Sequence, residues 1–182
     1  MTTIINADTS NGLKLTSDTS GILELQSGGT TKATVNSSGL TSPGHILQVV
    51  QGTHSTNVTN SSNTYADTGL TASITPSSTS NKILVMVSHS QCNKTGDNSQ
   101  NALGIKLFRG STEIYYPTSL SGYGNLAQGT IFEVSFNYLD TPSTTSATTY
   151  KTQFANEGNN GASVGVQSSS KTSTMILMEV AA

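Results

Sequence analysis

The most continuous apolar run of this chain lies in Lys82–Ser90, where five consecutive apolar residues extend from Ile83 to Val87. Three of the five are β-branched, and the turn-forming cluster Pro76–Asn81 precedes them. A run of this length is too short to cross a membrane, and it predicts a strand that is buried on both faces. Such a strand must be covered on each side, so a second sheet or another chain has to pack on it.

The composition predicts an all-β protein. The 182 residues include 28 Ser and 29 Thr, while apolar residues make up 33% and charged residues 10%. Both fractions lie well below those of an ordinary globular domain. Thr and Val favour strands, Gly, Asn and Ser favour turns, and no stretch sustains a helical period of apolar residues. So lean a core stabilises a single chain poorly, which indicates an oligomer.

Charge and cysteine content argue against several functions. The formal net charge is −2 and there is no basic stripe, so we expect no nucleic-acid partner. No basic amphipathic helix marks a membrane surface, and Met1–Asp8 lacks the features of a secretory signal. Cys92 is the single cysteine, so no disulfide forms within the chain, and we expect an inert, buried or half-buried thiol.

Residues 9–44 contain a degenerate repeat whose glycines stand at positions 12, 21, 29 and 39. Each unit is a short strand with alternating polarity, followed by a polar turn. A unit with one apolar face cannot bury that face alone, whereas three copies around an axis can. The sequence therefore predicts an intertwined trimeric stalk, and the alternative is an edge meander that packs on the main domain. The inward-facing stalk residues are Leu13, Leu15, Leu23, Leu25 and Val35.

The segment Thr41–Gly44 separates this repeat from the rest of the chain, because Pro-Gly breaks the strand pattern. We therefore predict an anchor and stalk over 1–44 and a head domain over 45–182. The head reads as short strands without helices, which is typical of a sandwich or barrel, and its last strand should lie beside its first. The predicted head strands are 45–51, 64–70, 70–75, 82–90, 102–109, 114–116, 130–139, 148–155, 162–166 and 174–181.

Several motifs of the chain resemble bacteriophage fibre and spike proteins. In the head they resemble the trimeric jelly-roll domain of those proteins, which is similar in architecture to tumour-necrosis-factor and C1q heads. In the N-terminal part they resemble the repetitive strands of phage fibres. The motifs are Ser73–Pro76, Asn81–Val85, Leu107–Gly110 and Met175–Ala182 in the head, with Asn11–Asp18 and Gly21–Leu25 in the N-terminal part.

The resemblance implies a non-enzymatic virion structural protein that forms a homotrimer. One placement is a short fibre or decoration spike on the capsid, held by its N-terminal part to the major capsid protein or another virion protein. The alternative is a tail-fibre adhesin that attaches to the host surface, with a surface glycan as its possible partner. The short stalk favours the capsid exterior over the tail. A carbohydrate-binding module of a separate class stays open as well.

The sequence shows no catalytic constellation. The carboxylates are scattered, and His45, His54 and His89 stand in no pattern that binds zinc or orients a nucleophile. We predict neither cofactor nor metal, since the loop after Cys92 has too few acidic residues for Ca²⁺. Recognition is more plausible than reaction, and it would use the predicted loops Gln91–Asn101 and Pro117–Gly129. The candidate recognition residues are Asn93, Lys94, Asp97, Asn98, Tyr115, Tyr116 and Tyr123, and the alternative for the tyrosines is a role in trimer contacts.

Overall fold

The computed structural model describes residues 21–37, 39–95, 101–121, 130–158 and 161–182. The chain divides between Pro43 and Gly44 into two compact units. Among the described residues there are thirteen strands and one short 3₁₀ turn, and no α-helix. This confirms the all-β prediction.

The first unit is a three-stranded antiparallel sheet in the order β1-β2-β3. Its strands are β1 (Leu23–Ser27), β2 (Thr30–Asn36) and β3 (Gly39–Thr41). Gly28 and Gly29 join β1 to β2, and both have positive φ angles, 60° and 75°, which glycine adopts at no steric cost. The alternating pattern of the sequence therefore forms a meander in this part of the chain.

Apolar side chains of the first unit collect on one face of its sheet. Leu23 stands opposite Val35, and Val35 stands opposite Leu40, so these three form a row across all three strands. Leu25 lies on the same face, opposite Ala33. None of the described residues of this unit is buried. The sheet thus presents an apolar face that it does not bury itself; Leu13 and Leu15 lie outside the described residues.

The second unit contains two antiparallel sheets, and the first is organised around the longest strand, β7. β10 pairs with β7 along one edge, while β13 and then β12 pair along the other edge. β4 lies outside β13, and β5 lies outside β12. The strands are β4 (Ile46–His54), β5 (Val58–Asn60), β7 (Lys82–Lys94), β10 (Thr130–Asp140), β12 (Val164–Val166) and β13 (Ser173–Val180).

The second sheet of this unit has the order β6-β11-β8-β9. Its strands are β6 (Ala66–Ile74), β8 (Leu103–Arg109), β9 (Thr112–Ser121) and β11 (Thr148–Asn156). The first strand of the unit, β4, lies beside the last, β13, as predicted, and the chain alternates between sheets so that distant strands pair. This is the topology of a jelly roll, in which two antiparallel sheets form a sandwich.

The core lies between the two sheets and draws on both. The first sheet contributes inward residues of β7 and β13, and the second contributes residues of β6, β8 and β11. Packing of the facing apolar side chains is the main stabilisation of such a sandwich. The main cluster consists of Leu70, Ala72, Ile74, Ile83, Val85, Val87, Leu107, Tyr150, Met175 and Leu177.

Two predicted loops are partly strand. The loop predicted over Gln91–Asn101 is wrong at its start, because β7 continues to Lys94, where its backbone pairs with β10 and β12. The loop predicted over Pro117–Gly129 is wrong in the same way, because β9 runs to Ser121 beside β8. In both places backbone pairing with a neighbouring strand overrides the polar or turn-forming local sequence.

Two further strand predictions need correction. The predicted pair 64–70 and 70–75 is one strand, β6, in which Gly69 with a φ of 83° accommodates a bulge. The polar stretch predicted between 52 and 63 contains the end of β4 and all of β5. β5 forms because its backbone pairs with β12, and Thr59 stands opposite Gly165.

Candidate functional site

The outward side of the first sheet carries a continuous apolar row. Val49 of β4 stands opposite Met178 of β13, Met178 opposite Leu84 of β7, and Leu84 opposite Leu139 of β10. Ile176 and Met86 form a second, adjacent pair. Because side chains on directly opposed strand positions point the same way, all six lie on one side of the sheet. We call this set the outer apolar face: Val49, Leu84, Met86, Leu139, Ile176 and Met178.

The outer apolar face is largely open to solvent in the single chain. Val49 is 58% exposed, Leu139 49% and Met86 41%, whereas Val85 and Leu177 on the inward side are fully buried. A shallow depression of about 320 Å³ lies on the same side, and Met86 and Ile176 line it. The prediction that β7 is buried on both faces therefore holds for its inward side only. Contiguous exposed apolar patches of this kind are typical of surfaces that bind another protein.

The outward side of the second sheet has the opposite character. Lys151 Nζ lies 2.9 Å from Asp67 Oδ1, and Gln153 donates a hydrogen bond to the same oxygen at 2.8 Å. Lys106 Nζ lies 2.8 Å from Glu113 Oε2. Lys151 holds the pKa of Asp67 below its usual value, so this carboxylate stays charged at neutral pH. The sandwich thus has one charged outer side and one apolar outer side.

Tyr115 and Tyr116, two of the predicted recognition residues, lie on β9, which contains the predicted strand 114–116. The Tyr115 ring stacks on Tyr138 at 5.0 Å between centroids and contacts Phe136 at 5.9 Å. It lines a cleft of about 500 Å³ between β9 and β10, together with Pro117. Tyr115 therefore forms part of the packing at the side of the sandwich where these two strands meet.

Tyr116 belongs to a polar aromatic cluster at the end of the second sheet. Its hydroxyl donates to Glu157 Oε1 at 2.6 Å, and Tyr65 donates to the same oxygen. Burial raises the pKa of Tyr65, so its hydroxyl keeps its proton. Lys106 Nζ lies 4.3 Å and 4.9 Å from the two ring centroids, a cation–π arrangement. The cluster satisfies its own polar groups while Tyr116 stays partly exposed.

Of the remaining predicted recognition residues, two lie among the described residues. Asn93 and Lys94 lie in β7, and Lys94 is only 1% exposed. Asp97, Asn98 and Tyr123 lie outside the described residues. The described part of the chain has no group of His, Cys, Asp and Glu side chains placed to hold a metal ion. Within it, no helix is long and apolar enough to cross a membrane.

Sequence reasoning did not identify Val49, Leu139 and Ile176 as members of one exposed apolar face. Their significance depends on which strands are neighbours, and the neighbours of β13 are far away in the sequence. One signal was available, because the last strand is apolar at every position from Met175 to Met178 and therefore offers apolar groups on both sides.

Comparison with known proteins identifies no family. No family model matches the chain, and no curated protein matches it. Solved structures that resemble it include that of the Gx strain of infectious bursal disease virus, at 14% identity and TM-score 0.39, covering 86% of this chain and 41% of that one. The VP2 subviral particle of the same virus matches at 14% identity and TM-score 0.35, covering 78% and 39%. The Gt strain matches at 15% identity and TM-score 0.37, covering 100% and 52%.

This chain thus spans about half the length of those chains or less. Because the TM-scores are below 0.5, this likeness does not indicate a function for the chain.

Proposed function

We propose that this chain is a non-enzymatic structural protein of a virion and that it functions as a homotrimer. The observation that carries the proposed self-association is the outer apolar face. Exposed apolar side chains on the outside of a jelly roll are favourable only when another surface covers them. Covering exposed Val49, Met86 and Leu139 removes apolar surface from water, which is the main driving force of association. The partner is a second copy of this chain, since the lean composition leaves each copy short of buried apolar area.

The first unit supports self-association independently. Its row Leu23, Val35 and Leu40 lies on one side of a three-stranded sheet that buries none of its described residues. Such a small sheet is marginally stable by itself and gains stability when its apolar face is covered. Three copies around an axis would cover it, as the stalk prediction requires. The number three and the virion role follow from the resemblance to phage fibre and spike proteins.

Within the virion we propose a short fibre or decoration spike on the capsid exterior. Residues 1–44 would bind the major capsid protein or another virion protein, and the jelly roll would project outward. The alternative is a tail-fibre adhesin, which the partly exposed Tyr116 beside Glu157 and Lys106 favours, since aromatic and charged side chains together suit a surface glycan.

The first experiment is the native mass of the purified chain and of two variants. We expect a species near three times 18.9 kDa for the unchanged chain. Val49→Glu should lower the fraction of trimer at a given protein concentration, because burying an unpaired carboxylate at the interface costs several kcal/mol, about 2–7 for a polar group and more for a charge. Since Val49 is mostly exposed in the single chain, the monomer should stay folded.

The matched control is Ser73→Glu, which places the same charge on the outward side of the second sheet, where Ser73 is exposed. This variant should keep the native mass of the unchanged chain. A monomeric unchanged chain would contradict the proposal, and so would a Val49→Glu chain that assembles normally.

A second experiment tests the anchor. Deleting residues 1–42 should leave a folded jelly roll that no longer attaches to the particle, since the first unit is separate from the second. Attachment of the truncated chain at the level of the full chain would refute the anchor, whatever its oligomeric state.

A further inference from the structure

A buried polar network surrounds His89 in the middle of the jelly roll. His89 lies on the inward side of β7 and is fully buried. Its Nε2 is 3.0 Å from Thr152 Oγ1 on β11, a strand of the facing sheet, and Thr152 Oγ1 is 2.6 Å from Thr68 Oγ1 on β6. The imidazole therefore connects the two sheets through hydroxyl groups.

The other ring nitrogen of His89 faces the connection between β12 and β13. Gln167 Nε2 lies 3.4 Å from His89 Nδ1 and donates to Ser173 Oγ at 3.1 Å. Gln167 is fully buried, and its Oε1 has no hydrogen-bond partner. Its backbone N–H donates to Ser90 O at 3.1 Å. The amide of Gln167 is thus held in one orientation although a buried acceptor stays unsatisfied, which is unfavourable.

The same connection has a strained backbone. Gln167, Ser169 and Ser170 have φ angles of 55°, 54° and 56°, in the left-handed region that non-glycine residues rarely adopt. Such a conformation is unfavourable for a residue with a Cβ and persists only where the surroundings hold it. The contacts of Gln167 with β7 and the bond that Asn93 Nδ2 donates to Ser168 Oγ at 3.4 Å hold this segment to the sheet.

Both contacts of the ring suit a neutral imidazole. With the amide N–H of Gln167 oriented toward the ring, Nδ1 accepts and the single proton lies on Nε2. The side chains at both ring nitrogens, Thr152 and Gln167, are uncharged. The titratable group nearest along β7 is the Cys92 thiol, which donates to the His89 carbonyl and is neutral because burial raises its pKa to about 12. On the neighbouring strands, Glu133 of β10, Asp67 of β6 and Lys151 of β11 lie on the outward sides of their sheets. Nothing in this contact set therefore offsets a positive charge on the ring.

We infer that His89 and Gln167 form an acid-sensitive latch, which holds the connection 167–172 on β7 while the imidazole is neutral and releases it when Nδ1 takes up a proton. A proton on Nδ1 occupies the lone pair that now accepts the Gln167 amide, and two donors then face each other. Rotation of the amide would offer Oε1 to the ring, but the bond that Nε2 now donates to Ser173 Oγ would be lost. The strained segment is then free to relax outward.

The structure sets the size of the effect. Burial lowers the pKa of His89 from 6.5 to about 4 in the closed state. Above pH 6.5 the ring is neutral in both the open and the closed state, and the closed state keeps its full stability. Below pH 6.5 the open state binds a proton more readily, so the stability of the closed state falls as the pH falls toward 4. An imidazole in the open state titrates at its ordinary pKa, so a change from pH 8 to pH 5 favours opening by about 30-fold.

Amide hydrogen exchange of the full chain tests the latch, with each rate corrected for the intrinsic effect of pH. The Gln167 N–H reports opening directly, because it bonds to Ser90 in the closed state. We expect its protection to fall about 30-fold from pH 8 to pH 5, while amides of β8 change much less. His89→Gln, which cannot titrate, should abolish the change, and His45→Gln, at an exposed position, should retain it.

Constant protection of Gln167 across this pH range would overturn the inference, and so would an equal loss at β8, which would show global rather than local opening. A His89→Gln chain that keeps the pH dependence would also overturn it. Should that variant fail to fold, the comparison of Gln167 with β8 in the unchanged chain decides alone. None of these outcomes depends on the oligomeric state or the virion role.

Discussion

Two tyrosines of the jelly roll make the same hydrogen bond in different surroundings, and their Phe variants should differ in stability. Tyr150 donates to Asp140 Oδ2 at 2.7 Å, and Arg109 Nη1 lies 2.8 Å from the same oxygen. Tyr116 donates to Glu157 Oε1 at 2.6 Å. Tyr150 is fully buried, whereas Tyr116 is exposed. Burial and the Asp140 bond raise the pKa of Tyr150, so its hydroxyl remains a donor at any ordinary pH.

Tyr150→Phe should cost about 1.5–3 kcal/mol, the range for a hydrogen bond to a charged group that water cannot replace. The Asp140 carboxylate keeps its bonds to Arg109 but loses one donor in the interior. Tyr116→Phe should cost about 0.5 kcal/mol or less, because water reaches the partners and surface substitutions have small effects.

Equilibrium urea unfolding at one fixed protein concentration measures both variants against the unchanged chain, and native mass confirms that all three share an oligomeric state. An equal decrease in the free energy of unfolding for Tyr150→Phe and Tyr116→Phe would refute the reasoning, since burial would then not strengthen the hydrogen bond. A larger loss for Tyr116→Phe would instead show that the Tyr116 cluster supports the fold more strongly than the buried Asp140 cluster.

Three further changes test other parts of the fold. Val85→Asp should prevent folding, because an unpaired buried charge costs several kcal/mol or more, and a normal thermal unfolding curve would contradict the burial of β7. Gly69→Ala should destabilise by about 1–3 kcal/mol, since φ is 83° and a Cβ would meet the His54 ring; urea unfolding measures this loss. Hydrogen bonds from neighbouring side chains outweigh burial and lower the pKa of Glu179, so its contribution to stability is present above the ordinary carboxyl pKa and is lost as the pH falls. Glu179→Gln should therefore weaken the acid dependence of unfolding, measured from pH 7 to pH 3.

The strand prediction worked best where local pattern and tertiary environment agree. In β13, alternate residues such as Met175 and Leu177 are fully buried between the sheets, so the apolar sequence and the position at the centre of the sheet agree. The placement of β13 beside β4 followed from the same reasoning. It failed where long-range pairing decides: β5 has one apolar residue, Val58, and exists because β12 lies beside it.

The candidate site was harder to predict than the fold. Lys94 reads as a loop residue, but it is buried because β7 continues between β10 and β12. The outer apolar face could not be predicted from the sequence. Val49 and Leu139 lie in one row only because four strands pair in a particular register. The His89 network is of the same kind, because Thr152 comes from the facing sheet.

The apolar residues of this chain are few, and their distribution is the strongest argument for assembly. A sandwich that functions alone needs apolar side chains only between its sheets, and polar ones outside keep it soluble. The second sheet follows that rule, with Asp67 and Lys151 outward. The first sheet breaks it, because Leu84 and Met86 alternate with Val85 along β7. A chain with only 33% apolar residues that still places some of them on an outer side exposes them to water as a monomer, which supports the proposal that another copy covers the outer apolar face.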